Sequence, residues 1–157
     1  MTEHRKARHN RLRDLQAFHD HAHRYNEKVV AGGILVVNVA ENYWSPTREE
    51  NDITEHRDIE RVGKETVELF RNIPLRNTPS DGDGMEGMGI LVVDHDNLRK
   101  NPNPPRETPH SQETKLITDD PAPPPGDPLN YSTMIYDCVA RTKTDGREVH
   151  IESAERT

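Results

Sequence analysis

Two runs of the same five letters constrain this chain more than anything else in it: GILVV at 33–37 and GILVV again at 89–93. Each is apolar on consecutive positions and β-branched, whereas a strand with one wet face alternates apolar with polar. Both read as strands covered on two faces. Between them Ile59, Val62, Thr66, Leu69 or Phe70, and Ile73 recur at helical spacing, and Pro74 lies just past the last of them. Ser45-Pro46 stops the first strand. After the polar stretch TREEN, Asp52 with Glu55 three residues on predicts the start of the helix through a capping box. Strand, helix and strand make a βαβ crossover, whose two strands run parallel and end at the same sheet edge. Open α/β sheets hold their ligands at that edge.

The flanks extend this plan. Leu12, Leu15, Phe18 or His19, Ala22, Tyr25 or Asn26, and Val29 predict an amphipathic helix over about 8–29, ended by Gly32-Gly33. SDGDGMEGMG at 80–89 reads as a flexible connection into the second strand. Nine of the twelve prolines fall between 102 and 128, a segment expected to run extended over the surface or to lack order. Asp127 as cap and Pro128 at the first helical position predict a last helix with Tyr131, Met134, Ile135, Cys138 and Val139 on its buried face. The tail TKTDGREVHIESAERT suits a small edge hairpin and fraying equally. The expected class is α/β: a helix, a βαβ unit with a small parallel or mixed sheet, a proline-rich arm and a C-terminal helix. The expected divisions are a core at 1–100, an arm at 101–127, a helix at 128–141 and a tail at 142–157.

With 157 residues the chain suits one domain, and its 31% apolar content implies that part of it lies outside the packed core. The net charge of −7 is uneven: residues 1–30 carry +3 and the remainder −10. The basic segment suits a phosphate backbone or a solvated helix face. One cysteine excludes a disulfide framework and a multi-thiolate zinc site. The absence of a long apolar run and of an apolar stretch near the start predicts a cytoplasmic chain without a membrane partner.

Four groups of residues could carry chemistry. His19 and His23 stand four apart on a predicted helix, the spacing with which two imidazoles share a metal ion, although Asp20 replaces the Glu of the zinc-protease form. Asp94 and Asp96, in DHDN at the exit of the second strand, suit Mg²⁺, or else they bond to the turn backbone. Glu113 and Lys115, in Glu-Thr-Lys, could join them on a neighbouring strand to activate water for phosphodiester hydrolysis. Cys138 reads as a small buried hydrophobe. No nucleophile elbow, dinucleotide-binding turn or phosphate-binding loop occurs, and DGDGMEG lacks the bidentate Glu of a calcium loop.

The order RLRDLQAFHDHAHRY, GGILVVNVAENYWSPTRE, a charged helix, GILVVDHDN and PPPGDPLNYSTMIYDCVA resembles the C-terminal half of restriction-endonuclease-like nucleases of the PD-(D/E)XK superfamily, over about residues 11–140. In that family a helix leads to a buried strand of the form G-I-L-V-x-N, then to a segment with Pro and Arg, as Ser45-Pro46-Thr47-Arg48 here. The family's catalytic strands normally come earlier in the chain, and about eleven residues precede Leu12. The resemblance therefore implies a nuclease-like protein of DNA processing or defence, catalytically incomplete, that binds DNA or a partner subunit. Its DNA contacts would be Arg5, Lys6, Arg8, Arg11, Arg13 and Arg48. If active, it would be a Mg²⁺-dependent deoxyribonuclease with Asp94, Asp96, Glu113 and Lys115 as its substitute centre. The alternative is a non-enzymatic assembly or virion component, or a homo-oligomer, that binds neighbours through the proline-rich arm.

Overall fold

A computed structural model describes residues 2–44, 53–56, 58–78, 80–82, 84–95 and 114–144. The elements in chain order are α1 (Thr2–Tyr25), β1 (Gly32–Asn38), β2 (Asn42–Trp44), β3 (Ile53–Glu55), α2 (Ile59–Phe70), β4 (Gly87–Asp94), β5 (Lys115–Ile117) and α3 (Tyr131–Thr144). Strands β1, β4 and β5 form a sheet in that order, and β2 pairs antiparallel with β3. The two GILVV runs lie side by side and parallel, with Val36 beside Leu91 and Val37 beside Val92. The α/β class read from the sequence is the class observed, in a mixed three-stranded sheet.

Strand alternation divides the sheet into two dissimilar faces. One face carries Leu35, Val37, Met88, Ile90 and Val92, and with Val67, Phe70 and Leu129 it forms the main core, onto which Leu12 and Leu15 of α1 also pack. The other face opens with Gly32, Gly87 and Gly89, and α3 lies directly on them. A methyl group added at Gly87 would sit 2.6 Å from Cys138 Sγ and 2.8 Å from Met134 Cγ. The glycines before each apolar run are thus the seat of a helix. Gly87→Ala is expected to cost about 1–3 kcal/mol through overpacking, read as a lower midpoint in denaturant unfolding.

The helices depart from expectation at their ends. In α1, His19 rather than Phe18 faces inward: His19 is 2% exposed and Phe18 54%. Helix α2 begins at Ile59, and β3 occupies positions where the capping box predicted its first turn. Asp58, in the left-handed region at φ 54°, makes the turn between them and gives no side-chain cap. Buried Ile59, Val62, Thr66 and Phe70 follow the predicted stripe, Val67 is buried beside them, and the Thr66 hydroxyl donates to Val62 O at 2.7 Å. Asp52 lies outside the described residues.

Two connections differ as well. The stretch from 84 to 89 is pinned: Met85 N donates to Pro74 O (3.1 Å) and Arg76 N to Met85 O (2.8 Å), and Met85, Glu86 and Met88 are buried. Gly84 has a φ of 153°, and a methyl group there would lie 3.0 Å from Pro74 O, so the close approach requires glycine. Asp81 holds the turn before it, accepting from the N–H groups of Asn77 and Thr78 and from the Thr78 hydroxyl. Those bonds, the Thr78 N–H first, hold the Asp81 carboxyl below the usual carboxylate range. Within the proline-rich stretch, residues 115–117 form β5, and Ala122 packs on the core. Helix α3 begins at Tyr131, three residues later than Pro128 suggested. Asn130 Oδ1 accepts from Ser132 N at 3.0 Å in the manner of a cap, whereas Asp127 Oδ1 binds Leu129 N in a turn just before it.

Candidate functional site

The carboxyl ends of β1 and β4 meet as the parallel pairing requires, and Asn38 joins them. Its Nδ2 donates to His95 O at 2.6 Å, and its Oδ1 accepts from His95 N at 3.0 Å and from Ala40 N at 3.1 Å. One amide therefore satisfies three backbone groups left over where the two strands stop. The asparagine after the first apolar run is a structural clamp at this edge, while after the second run the equivalent exit reads Asp94-His95.

Antiparallel β5 completes the edge. Its register sets Lys115 opposite Asp94 and Leu116 opposite Val93. Residues directly opposite in an antiparallel pair share a face with Cβ atoms about 4.5–5.5 Å apart. Asp94 is half-buried and Lys115 exposed. Neither side chain has a hydrogen bond or ion pair among the described residues. The imidazole of His95 completes the set, with Nδ1 2.8 Å from the Thr114 hydroxyl. Four side chains, Asp94, His95, Thr114 and Lys115, so gather at one end of the sheet. Asp96 and Glu113 lie outside the described residues.

The cationic start of α1 lies toward the same end. His23 meets Glu86 at the foot of β4, Leu15 lies against Gly33, and Arg8 reaches Glu65 of α2, two residues past Gly63, which packs on Val39. Arg8 is committed to this contact at 3.1 Å, with its side chain 15% exposed, so it faces the fold rather than a ligand. Arg11 is exposed and 3.4 Å from Asp14, and Arg13 is exposed. The side chains of Arg5 and Lys6, and all of Arg48, lie outside the described residues. Nearby, a cavity of about 300 Å³ is lined by Glu41, His56, Asp58, Ile59, Glu60 and Arg61.

His19 and His23 do lie on one side of α1, with ring centroids 6.3 Å apart. His23 belongs to a buried polar cluster, whereas neither ring nitrogen of His19 finds a hydrogen-bond partner among the described residues. His23 Nε2 is 3.2 Å from Glu86 Oε2, and that oxygen also accepts from Ala31 N at 2.8 Å. The other carboxylate oxygen lies 3.8 Å from Arg76 Nη1, and Arg76 donates to Glu27 O and Thr78 O. Among the described residues no group of three His, Cys, Asp or Glu side chains is placed to hold a metal ion. Sequence reasoning missed Arg76 and Glu86, because a charged side chain in a polar loop carries no sign of its burial.

Cys138 is half-buried against Gly32 and Gly87, and burial pushes its thiol up, away from the thiolate. It packs as the small hydrophobe expected. No described helix is long and apolar enough to cross a membrane. No family model, curated protein or solved structure matches the chain, so the reading of this edge rests on its own geometry.

Proposed function

We propose that the carboxyl edge of the sheet is a nuclease-like site of a protein of DNA processing or defence, directed at the phosphodiester backbone. The register that sets Asp94 opposite Lys115 carries this reading. It brings the acid-bearing strand β4 together with β5, the strand that begins at Lys115. Asp94 is an oxygen donor without another partner among the described residues, and Mg²⁺, which keeps most of its waters, needs only one or two carboxylates. When bound there, such an ion would activate water and neutralise charge developing on phosphorus. Lys115 supplies a point charge for a phosphate oxygen beside that carboxylate. Asn38 fixes the strand exit that holds Asp94, and the His95–Thr114 bond ties that exit to the start of β5.

Supercoiled plasmid incubated with the protein and Mg²⁺ is expected to be nicked. Asp94→Ala and Lys115→Ala are each expected to slow nicking by about a hundredfold. Intact plasmid with salt-sensitive DNA binding would identify a binding-only form, and intact plasmid with no such binding would remove the nuclease-like reading altogether. A second reading, a non-enzymatic assembly component, draws on a different observation: Ile34, Val36 and Leu116 stand more than half exposed on the sheet.

A further inference from the structure

The sheet face that receives α3 is only partly covered by it. Beyond the helix, Ile34 and Val36 of β1 are 51% and 59% exposed, and Leu116 of β5 is 58% exposed. The register puts Val36 beside Leu91 and Leu116 opposite Val93, so an apolar belt crosses all three strands on this face. Among the described residues none covers it. Helix α3 turns Tyr131, Met134 and Cys138 toward the glycines beneath it and leaves Ile135, Tyr136 and Val139 outside, at 41%, 74% and 48% exposure. Among the described residues, two apolar surfaces, one on the sheet and one on the helix, therefore stand uncovered on the same side of the molecule.

We propose that they are the two halves of one self-complementary interface: two copies of the chain pair about a two-fold axis, the α3 of each lying over the belt of the other. In such an isologous contact each surface meets its complement twice, so a single mode of association covers both. An extended peptide added to the edge of β1 would leave the α3 stripe bare. The areas come near those of a dimer. With about 120 Å² for a fully exposed aliphatic side chain and about 150–250 Å² for an aromatic one, the five aliphatic members at 41–59% exposure and Tyr136 at 74% present roughly 400–500 Å² of apolar surface. A standard interface takes about 800 Å² from each partner, of which about 65%, or ~520 Å², is apolar in a homodimer. The sheet belt consists of aliphatic side chains, and on the helix the exposed Lys143 stands one turn beyond Val139, at the end of the stripe. Asp94 and Lys115 point from the opposite face, so the dimer leaves the carboxyl-edge site open and stands independently of the nuclease-like reading.

Sedimentation equilibrium of the full chain tests this. Each chain is 18.0 kDa, and twice that mass is expected as the concentration rises from about 1 to about 100 µM, the range in which a modest interface associates. Val36→Glu and Tyr136→Glu, which place a charge in the contact, are each expected to weaken association at least about tenfold with helical circular dichroism unchanged. Phe18→Glu, on the exposed side of α1, is expected to leave it unchanged. Tyr136 lies on the outer surface of α3, so its variant reads the interface even where a charge at Val36 disturbs the sheet. A monomer at about 100 µM overturns the proposal, as does a dimer that Tyr136→Glu does not weaken.

Discussion

Glu86→Ala is expected to lower the free energy of unfolding by about 3–5 kcal/mol, the usual consequence of removing one partner from a buried, hydrogen-bonded charge. Glu86 is 3% exposed and Arg76 2%. The truncation takes from the Ala31 N–H its 2.8 Å acceptor and from His23 Nε2 its 3.2 Å neighbour, and it removes the carboxylate beside the Arg76 guanidinium. Because these groups stand away from water, neither solvent nor salt can replace what is lost. For a domain of this size the melting temperature should fall by about 10 °C, measurable by circular dichroism. Glu86→Gln, which keeps an oxygen for Ala31 and gives up the charge, is expected to fall between the two. A loss under about 1 kcal/mol in the alanine variant would show that water reaches the cluster. The stability lost should also change little between low and moderate salt, in contrast to exposed pairs such as Arg61 with Glu65.

The two phenylalanines are expected to behave as opposites. Phe70, at 0% exposure, sits at the end of α2 in the main core with Val67, Ile73, Met85 and Met88, and Phe70→Ala should cost about 3–5 kcal/mol through lost burial and the cavity left behind. Phe18, at 54% exposure on α1, contributes little, and Phe18→Ala should stay within about 0.5 kcal/mol of the wild type. Denaturant midpoints of the two variants decide the matter, and similar values would contradict the placement of α1. Sequence periodicity left Phe18 and His19 equally suited to the inner face. The structure turns His19 inward, with its ring 6.3 Å from that of His23, and leaves Phe18 outside.

Much of the architecture was legible in advance for a simple reason. Consecutive apolar residues without charge marked both GILVV runs as strands, and they are parallel neighbours as expected. Coverage on both faces holds for β4 but not for β1, which is the edge of the sheet and leaves Ile34 and Val36 at 51% and 59% exposure. The stripe of α2 was equally plain, since Ile59, Val62, Thr66 and Phe70 repeat at the helical period. Its beginning was not. A capping box is a local preference, and pairing of 53–55 with 42–44 outweighed it. The C-terminal helix shows the same limit: Asp127 and Pro128 carry the signature of a helix start, yet they form the turn that delivers Asn130 to that role.

The candidate site was legible in its parts and illegible as a whole. Asp94 at a strand exit could be placed at the sheet edge from the crossover alone. Whether Lys115 of Glu-Thr-Lys lay beside it depended on a three-residue strand, too short to show alternation and set among prolines. The pairing of β5 with β4, which sets Lys115 opposite Asp94 across twenty intervening residues, and the His95–Thr114 contact join the two segments. The function of Asn38 was hidden for a related reason: its amide acts on His95, 57 positions away.

What this chain's sequence determined by itself is therefore the α/β class, the parallel strands and the amphipathic helices, because each follows from residues close enough to show a period. The tertiary structure decided what lies between distant segments: the seat of α3 on Gly32, Gly87 and Gly89, the burial of Arg76 with Glu86, and the pairing of β5 with β4. Those contacts depend on packing and desolvation across the whole fold. No local pattern carries them.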